Sequence, residues 1–250
     1  MAYQPPQYQP PQYPQQPYQQ PQYYQQYPQP PFLPQPPPQP GVPPGVLVGV
    51  SLWRLVIVAC AFTGFGAAVS VLSKPMLALS QQASLVVGIV YTGLLCYPLF
   101  TGGRRHEPVS PWWRGAMTVL ALLVCVTYLV IIRGSIAPMW SLFEHVLTPL
   151  AVLVDFLAIG RNQAAAKWWH PLTWLAFPLA YLIFFVAAKV KLYGSFLNPA
   201  KSSFPGTVIG FIAALLVLGY LLYGFGKIKL AVARQHQRFR QPPPGYPGSW

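Results

Sequence analysis

The sequence predicts an all-α integral membrane protein, a bundle of six transmembrane helices between two tails. Three observations carry that prediction. Of the 250 residues, 54% are hydrophobic and only 8% are charged, whereas a soluble domain carries roughly a quarter charged residues. Six apolar runs of about 20 residues follow one another, the length a helix needs to cross the hydrocarbon layer at about 1.5 Å per residue. Finally, the Lys and Arg residues fall mainly in the segments between those runs, where a membrane protein places them.

Three regions follow, with boundaries at 1–45, 46–228 and 229–250. Pro, Gln and Tyr make up 36 of the first 40 residues. Such a mixture has too few apolar side chains to build a core, and its prolines fix φ and remove donors, so an extended, disordered tail is expected. Its composition fits a ligand for proline-recognising modules and equally a solvated spacer. No charge occurs before Arg54, so the basic n-region of a cleavable signal peptide is missing and the first span is expected to act as an uncleaved signal.

The expected spans are Leu52 to Leu72, Ala78 to Phe100, Trp112 to Ile132, Trp140 to Gly160, Trp168 to Val190 and Phe204 to Phe225. The last region is first basic and then proline-rich, echoing the N-terminal tail. An even number of spans puts both tails on one side. That side holds Arg104, Arg105, Arg114, Arg161 and Lys167 together with Lys227, Lys229, Arg234, Arg238 and Arg240. The other side holds Lys74, Arg133, Lys189, Lys191 and Lys201. The bias of basic residues toward the first set places both tails in the cytoplasm of a cell membrane protein. Trp112, Trp113, Trp168 and Trp169 flank spans beside basic residues, as an interfacial aromatic belt does.

The formal charge of +13 does not point to nucleic acid, because the basic residues form no clustered face beside stacking aromatics. Attraction to anionic membrane lipids accounts for it better. Cys60, Cys96 and Cys125 each lie in an apolar run with no CxxC neighbour, which reads as packing. No metal or cofactor is implied.

Only three acidic residues occur, and two of them, Glu144 and Asp155, lie with His145 in the fourth span. Ionisable groups inside a span are costly, so they mark a site or a buried partner. Pro75 and Pro138 read as first-turn prolines of the second and fourth spans, which sets Ser80 and His145 about 7 and 10 Å below their helix starts. The two side chains are therefore expected at one depth. Pro149 cannot donate to the carbonyl of His145, so a kink is expected there. Glu144 and His145 are adjacent and point about 100° apart, which prevents one from orienting the other. Asp155 lies about 15 Å further along, level with Arg54, and the two are expected to form an ion pair.

The stretch from Ala78 to Pro199 resembles the androgen-induced family of six-span membrane proteins. The likeness rests on His145-VLTP-Pro149 followed by Asp155, on Trp174-LAFPLAYLIFF with Pro178 and Tyr181, and on Leu79-SQQAS-Ser84 opening the second span. The better-known members of that family hydrolyse fatty-acid esters of hydroxy fatty acids, with a threonine of the second span as the proposed nucleophile and a histidine of the fourth. The resemblance implies that Ser80 takes the threonine's place and His145 the histidine's. His145 would then deprotonate Ser80 for attack on an ester and protonate the leaving alkoxide. It also implies that Gln82 is the nearest oxyanion donor. Ala83 and Ser84 depart from the family's Ser-Asn pair, and Leu192-YGSF-Phe196 replaces its longer Tyr/Pro motif. The other functional reading is a non-catalytic membrane scaffold that recruits partners through its tail. A transporter would need more polar residues along the spans and an inverted repeat.

Overall fold

The computed structural model describes residues 41–194 and 196–240, with side chains through residue 236. The Pro/Gln/Tyr-rich stretch, the final ten residues and the partner and disorder readings attached to them lie outside the described residues. Those described are helical or irregular, with no strand. Six helices are long and apolar enough to cross a membrane: α1 Pro44–Val71, α2 Leu79–Phe100, α3 Trp112–Ile132, α4 Met139–Ile159, α5 His170–Ala187 and α6 Phe204–Arg240.

Four boundaries differ from the sequence reading, each for a local reason. α1 begins at Pro44, where a proline in the first turn forfeits no hydrogen bond, so the helix takes in Gly45 to Ser51 as well. Pro75 starts not α2 but a separate 3-10 turn, Pro75–Leu77, that ends at an extended Ala78. Ser80 consequently sits in the first turn of α2. α5 starts at His170 and not Trp168, with Pro171 in its first turn. α6 continues well past Phe225 as an unbroken helix to Arg240, because Lys227 to Arg240 contains neither Gly nor Pro.

The bundle is apolar outside and partly polar inside. Large side chains such as Ile89, Ile183 and Leu221 are more than half exposed on its surface, while Arg54, Arg114, Glu144 and Asp155 are 2% exposed or less. Lipid removes the usual drive to hide apolar side chains, and the polar ones must find partners within the protein. The central core joins Ile57 of α1, Tyr91 of α2, Met117 and Leu120 of α3, Val152 and Phe156 of α4 and Trp174 of α5. Gly115 lets Trp174 lie against α3, since a Cβ there would overlap the indole.

Three stretches wind as π-helix: Thr127–Ile132 at the end of α3, and Phe143–Leu147 and Asp155–Ile159 within α4. The π turn of Phe143–Leu147 ends just before Thr148, where α-winding resumes with Pro149 in its first turn. The helix is continuous across this point, so Pro149 leaves a carbonyl of the preceding turn without a backbone donor. The proline expected to kink the span is thus accommodated by the wider turn ahead of it.

Candidate functional site

Two polar groups of residues lie inside the bundle, one near each end. The end that holds the α2–α3 and α4–α5 connections carries an ion network around Asp155. Arg114 Nε donates to Asp155 Oδ2 at 2.7 Å, and Arg114 Nη1 donates to Glu107 Oε2 at 3.1 Å and to Asn162 Oδ1 at 2.6 Å. Tyr91 Oη donates to Asp155 Oδ2 at 3.2 Å, and the Arg161 amide donates to Glu107 Oε1 at 3.0 Å. His106 Nε2 stands 3.7 Å from Glu107 Oε1. Burial lowers the pKa of that histidine more than the Glu107 charge raises it.

Arg54 is not the partner of Asp155 among the described residues. Its Nη1 donates to the Leu94 carbonyl at 2.9 Å and to the His106 carbonyl, while Asp155 is taken by Arg114. Arg114 counts as a loop-side cation by sequence, but it sits in the first turn of α3 at 1% exposure. Gly160 makes room for it, because a Cβ there would overlap the guanidinium. The same end of α4 collects further cations. Arg114 Nη2 donates to the Asp155 carbonyl, and Lys229 Nζ to the carbonyls of Leu157 and Gly160 at 3.0 and 3.2 Å. These satisfy carbonyls that a helix C-terminus leaves unpaired and meet the negative end of its dipole. The network closes and ties down one end of the bundle.

The other group borders a cavity of about 350 Å³ in the opposite half, walled by apolar residues of α3, α5 and α6. Ser80 and His145 both line it, as do Gln81, Tyr128, Tyr181 and Tyr193. The sequence places Ser80 and His145 at one depth, and both are found on this one cavity. No direct hydrogen bond joins them among the described residues. His145 Nδ1 instead lies 3.0 Å from the Ser141 carbonyl and 3.4 Å from its hydroxyl. A carbonyl only accepts, so the Nδ1 hydrogen is committed to it and the lone pair of the neutral ring falls on Nε2. The ring stacks on Tyr128, with centroids 3.5 Å apart and planes at 18°.

Next to Ser80 on α2, Gln81 Nε2 donates to Glu144 Oε2 at 2.7 Å. Glu144 Oε1 has no hydrogen-bond partner among the described residues. Glu144 is 2% exposed and is not among the residues that line the cavity, which it meets through Gln81. The approach depends on Gly64 of α1, where a Cβ would come 2.9 Å from Glu144 Cγ.

Gln82 does not serve the site as the resemblance implies. Its Nε2 donates to the Met76 carbonyl at 2.7 Å, which occupies it at the start of α2, and the amide on the cavity wall belongs to Gln81. The rim is held by two tyrosines: Tyr181 Oη donates to the Leu77 carbonyl at 2.8 Å and the Leu79 amide donates to Tyr193 Oη at 3.1 Å. Sequence reasoning passed over Glu107, Arg114, Gln81 and Tyr128. Among 16 basic residues the three acids were the available signal, since each acid is outnumbered by cations that can pair with it.

Chemically, the cavity presents a hydroxyl, an imidazole with a basic nitrogen and a carboxylate one layer back, facing space suited to an alkyl chain. Among the described residues no group of three or more His, Cys, Asp or Glu is placed to hold a metal ion. Comparison with family models, with curated proteins and with solved structures returns no match.

Proposed function

We propose that this six-helix protein is an intramembrane hydrolase of lipid esters, with Ser80 as the nucleophile and His145 as a proton carrier. The single observation that carries the reading is that Ser80 and His145, on different helices, line one largely apolar cavity. A fatty acyl chain would fill that space and bring its ester to the polar wall. Ser80 Oγ would attack the carbonyl carbon to form an acyl-serine and release the alcohol, and water would then free the acid. Burial beside apolar side chains strengthens such polar interactions. The resemblance to the androgen-induced family supports the same class of substrate, fatty-acid esters. With the basic bias of the loops, it also supports a cell membrane location with both tails in the cytoplasm.

The test is reaction of the purified protein in detergent with an alkyl fluorophosphonate, followed by peptide mass spectrometry. Modification at Ser80 is expected, with loss of labelling in Ser80→Ala and a large loss in His145→Ala. Folded protein that takes up no probe would remove the hydrolase reading. If Ser80→Ala were silent in the cell while deletion of residues 2 to 40 abolished function, the protein would be a scaffold instead.

A further inference from the structure

We propose that Tyr128 is a positioning residue for His145, fixing the plane of the imidazole and, through the α3–α4 connection, the ring nitrogen that is left basic. The inference rests on the reading of His145 as proton carrier and names what holds that carrier in place. It starts at the end of α3, where the π turn Thr127–Ile132 closes at Arg133 with φ 55°. A residue with a side chain adopts that left-handed conformation at a cost, and keeps it where its surroundings over-determine it. Here the chain turns back onto one residue. The Gly134 amide donates to the Tyr128 carbonyl at 3.0 Å, a Cβ on Gly134 would overlap the Tyr128 ring, and Tyr128 Oη donates to the Ser135 carbonyl at 2.9 Å.

The same connection reaches His145 from its other side. The Ser135 carbonyl also accepts from Ser141 Oγ at 2.7 Å, as its two lone pairs allow, and the Ser141 carbonyl accepts the Nδ1 hydrogen of His145 at 3.0 Å. Tyr128 and Ser141 therefore hang from one carbonyl, and between them they hold the imidazole by its face and by one nitrogen. Tilting the ring would drive it into the phenol stacked 3.5 Å away. Turning it end for end would set a carbon against the Ser141 carbonyl and forfeit the hydrogen bond. Trp140 meets it edge-on, with centroids 6.0 Å apart. Nε2 is thus kept in one place on the cavity that His145 lines. The face of Tyr128 also suits the positive charge the imidazole bears while it carries a proton.

Two readouts test this on the full chain in detergent, with folding checked by gel filtration. The first is the nitrogen NMR spectrum of protein labelled with ¹⁵N-histidine, in which His145 is assigned by its loss in His145→Gln. Wild type is expected to show a neutral ring with its hydrogen on Nδ1 alone, and Tyr128→Leu a mixture of both tautomers. The second is the rate of alkyl fluorophosphonate labelling at Ser80. Tyr128→Leu should slow it roughly 100-fold, the scale of a misplacement of about 1 Å. Tyr128→Phe keeps the stacked face and should stay within about tenfold of wild type, the scale of one lost hydrogen bond. In a His145→Gln background Tyr128→Leu should cost nothing further, because it acts through the ring already removed. A general packing defect would slow both backgrounds alike.

If Tyr128→Leu does not fold, Gly134→Ala displaces the same phenol without removing it, and should mix the tautomers and slow labelling in the same way. A single unchanged tautomer in folded Tyr128→Leu or Gly134→Ala would overturn the assignment. So would a loss of labelling that persists in full without His145. Either result leaves the hydrolase reading standing. Absence of labelling in wild type removes that reading and the role of Tyr128 in it, while the tautomer spectrum still shows whether Tyr128 holds the ring.

Discussion

The guanidinium of Arg114 meets the carboxylate of Asp155 at 2.7 Å, with the two side chains at 1% and 0% exposure. Removing one partner of a buried pair strands the other, at a cost of about 3–5 kcal/mol. Arg114→Met and Asp155→Leu are each expected to destabilise by that order in detergent unfolding, and the double variant by clearly less than the sum. The cycle through Arg54 and Asp155 should show a smaller coupling, since no hydrogen bond joins them. Strict additivity between Arg114 and Asp155 would contradict the observed contact.

His106 makes the same end of the bundle sensitive to acid. It lies in the α2–α3 connection, and burial holds its pKa below the ordinary value of about 6.5. The fold therefore prefers the neutral ring, while the unfolded chain binds a proton below about pH 6.5. The stability this contributes is present above that pH and is lost as the pH falls toward the depressed folded value. Thermal midpoints measured from about pH 7.5 to 5 should fall, and His106→Asn should fall less steeply.

Gly160 is expected to reject even a methyl group. A Cβ at that position would overlap Arg114, and the guanidinium cannot withdraw without breaking its bonds to Asp155, Glu107 and Asn162. Gly160→Ala should cost about 1–3 kcal/mol, the range for overpacking. An unchanged midpoint would mean that Arg114 has another place to go.

Sidedness can be read by thiol labelling in a background without Cys60, Cys96 and Cys125. A membrane-impermeant maleimide applied outside intact cells is expected to reach Ser135→Cys and Ser203→Cys but not Arg104→Cys. Labelling of Arg104→Cys from outside would overturn the proposed cytoplasmic placement of the tails.

Span number and order were legible because run length alone decides whether a helix can cross the hydrocarbon layer. Depth was partly legible too: counting along α2 and α4 brings Ser80 and His145 to one cavity, even though Pro75 belongs to a separate turn. Rotation about each helix was not. Neighbouring residues diverge by about 100°, so Glu144 was correctly separated from His145, yet nothing in the spacing said that Glu144 meets Gln81. Arg114 was misjudged for a related reason. Its neighbours Trp112 and Trp113 read as an interfacial belt, but Trp112 Nε1 donates to Thr173 Oγ1 at 2.8 Å, and Arg114 turns inward through the space left by Gly160. A glycine that makes such room carries no mark in the sequence to distinguish it from one that merely bends a loop.

Glu144, His145 and Asp155 all fall on the two π turns of α4, and that gives the helix an unequal tolerance of lost codons. A π turn takes up one residue more than an α turn does, while the helix on either side keeps its phase. Deleting the codon for Val146 would let the turn of Phe143–Leu147 relax to ordinary winding, and Asp155 would still come round to Arg114. α2 has no such reserve, being wound as α-helix from Leu79 to Phe100. Loss of the codon for Ile89, a side chain that faces outward, would turn Tyr91 by about 100° relative to Ser80 and swing its hydroxyl away from Asp155. Deletion of one lipid-facing residue in α2 should therefore do more harm to the ion network than deletion of one residue beside the candidate site in α4.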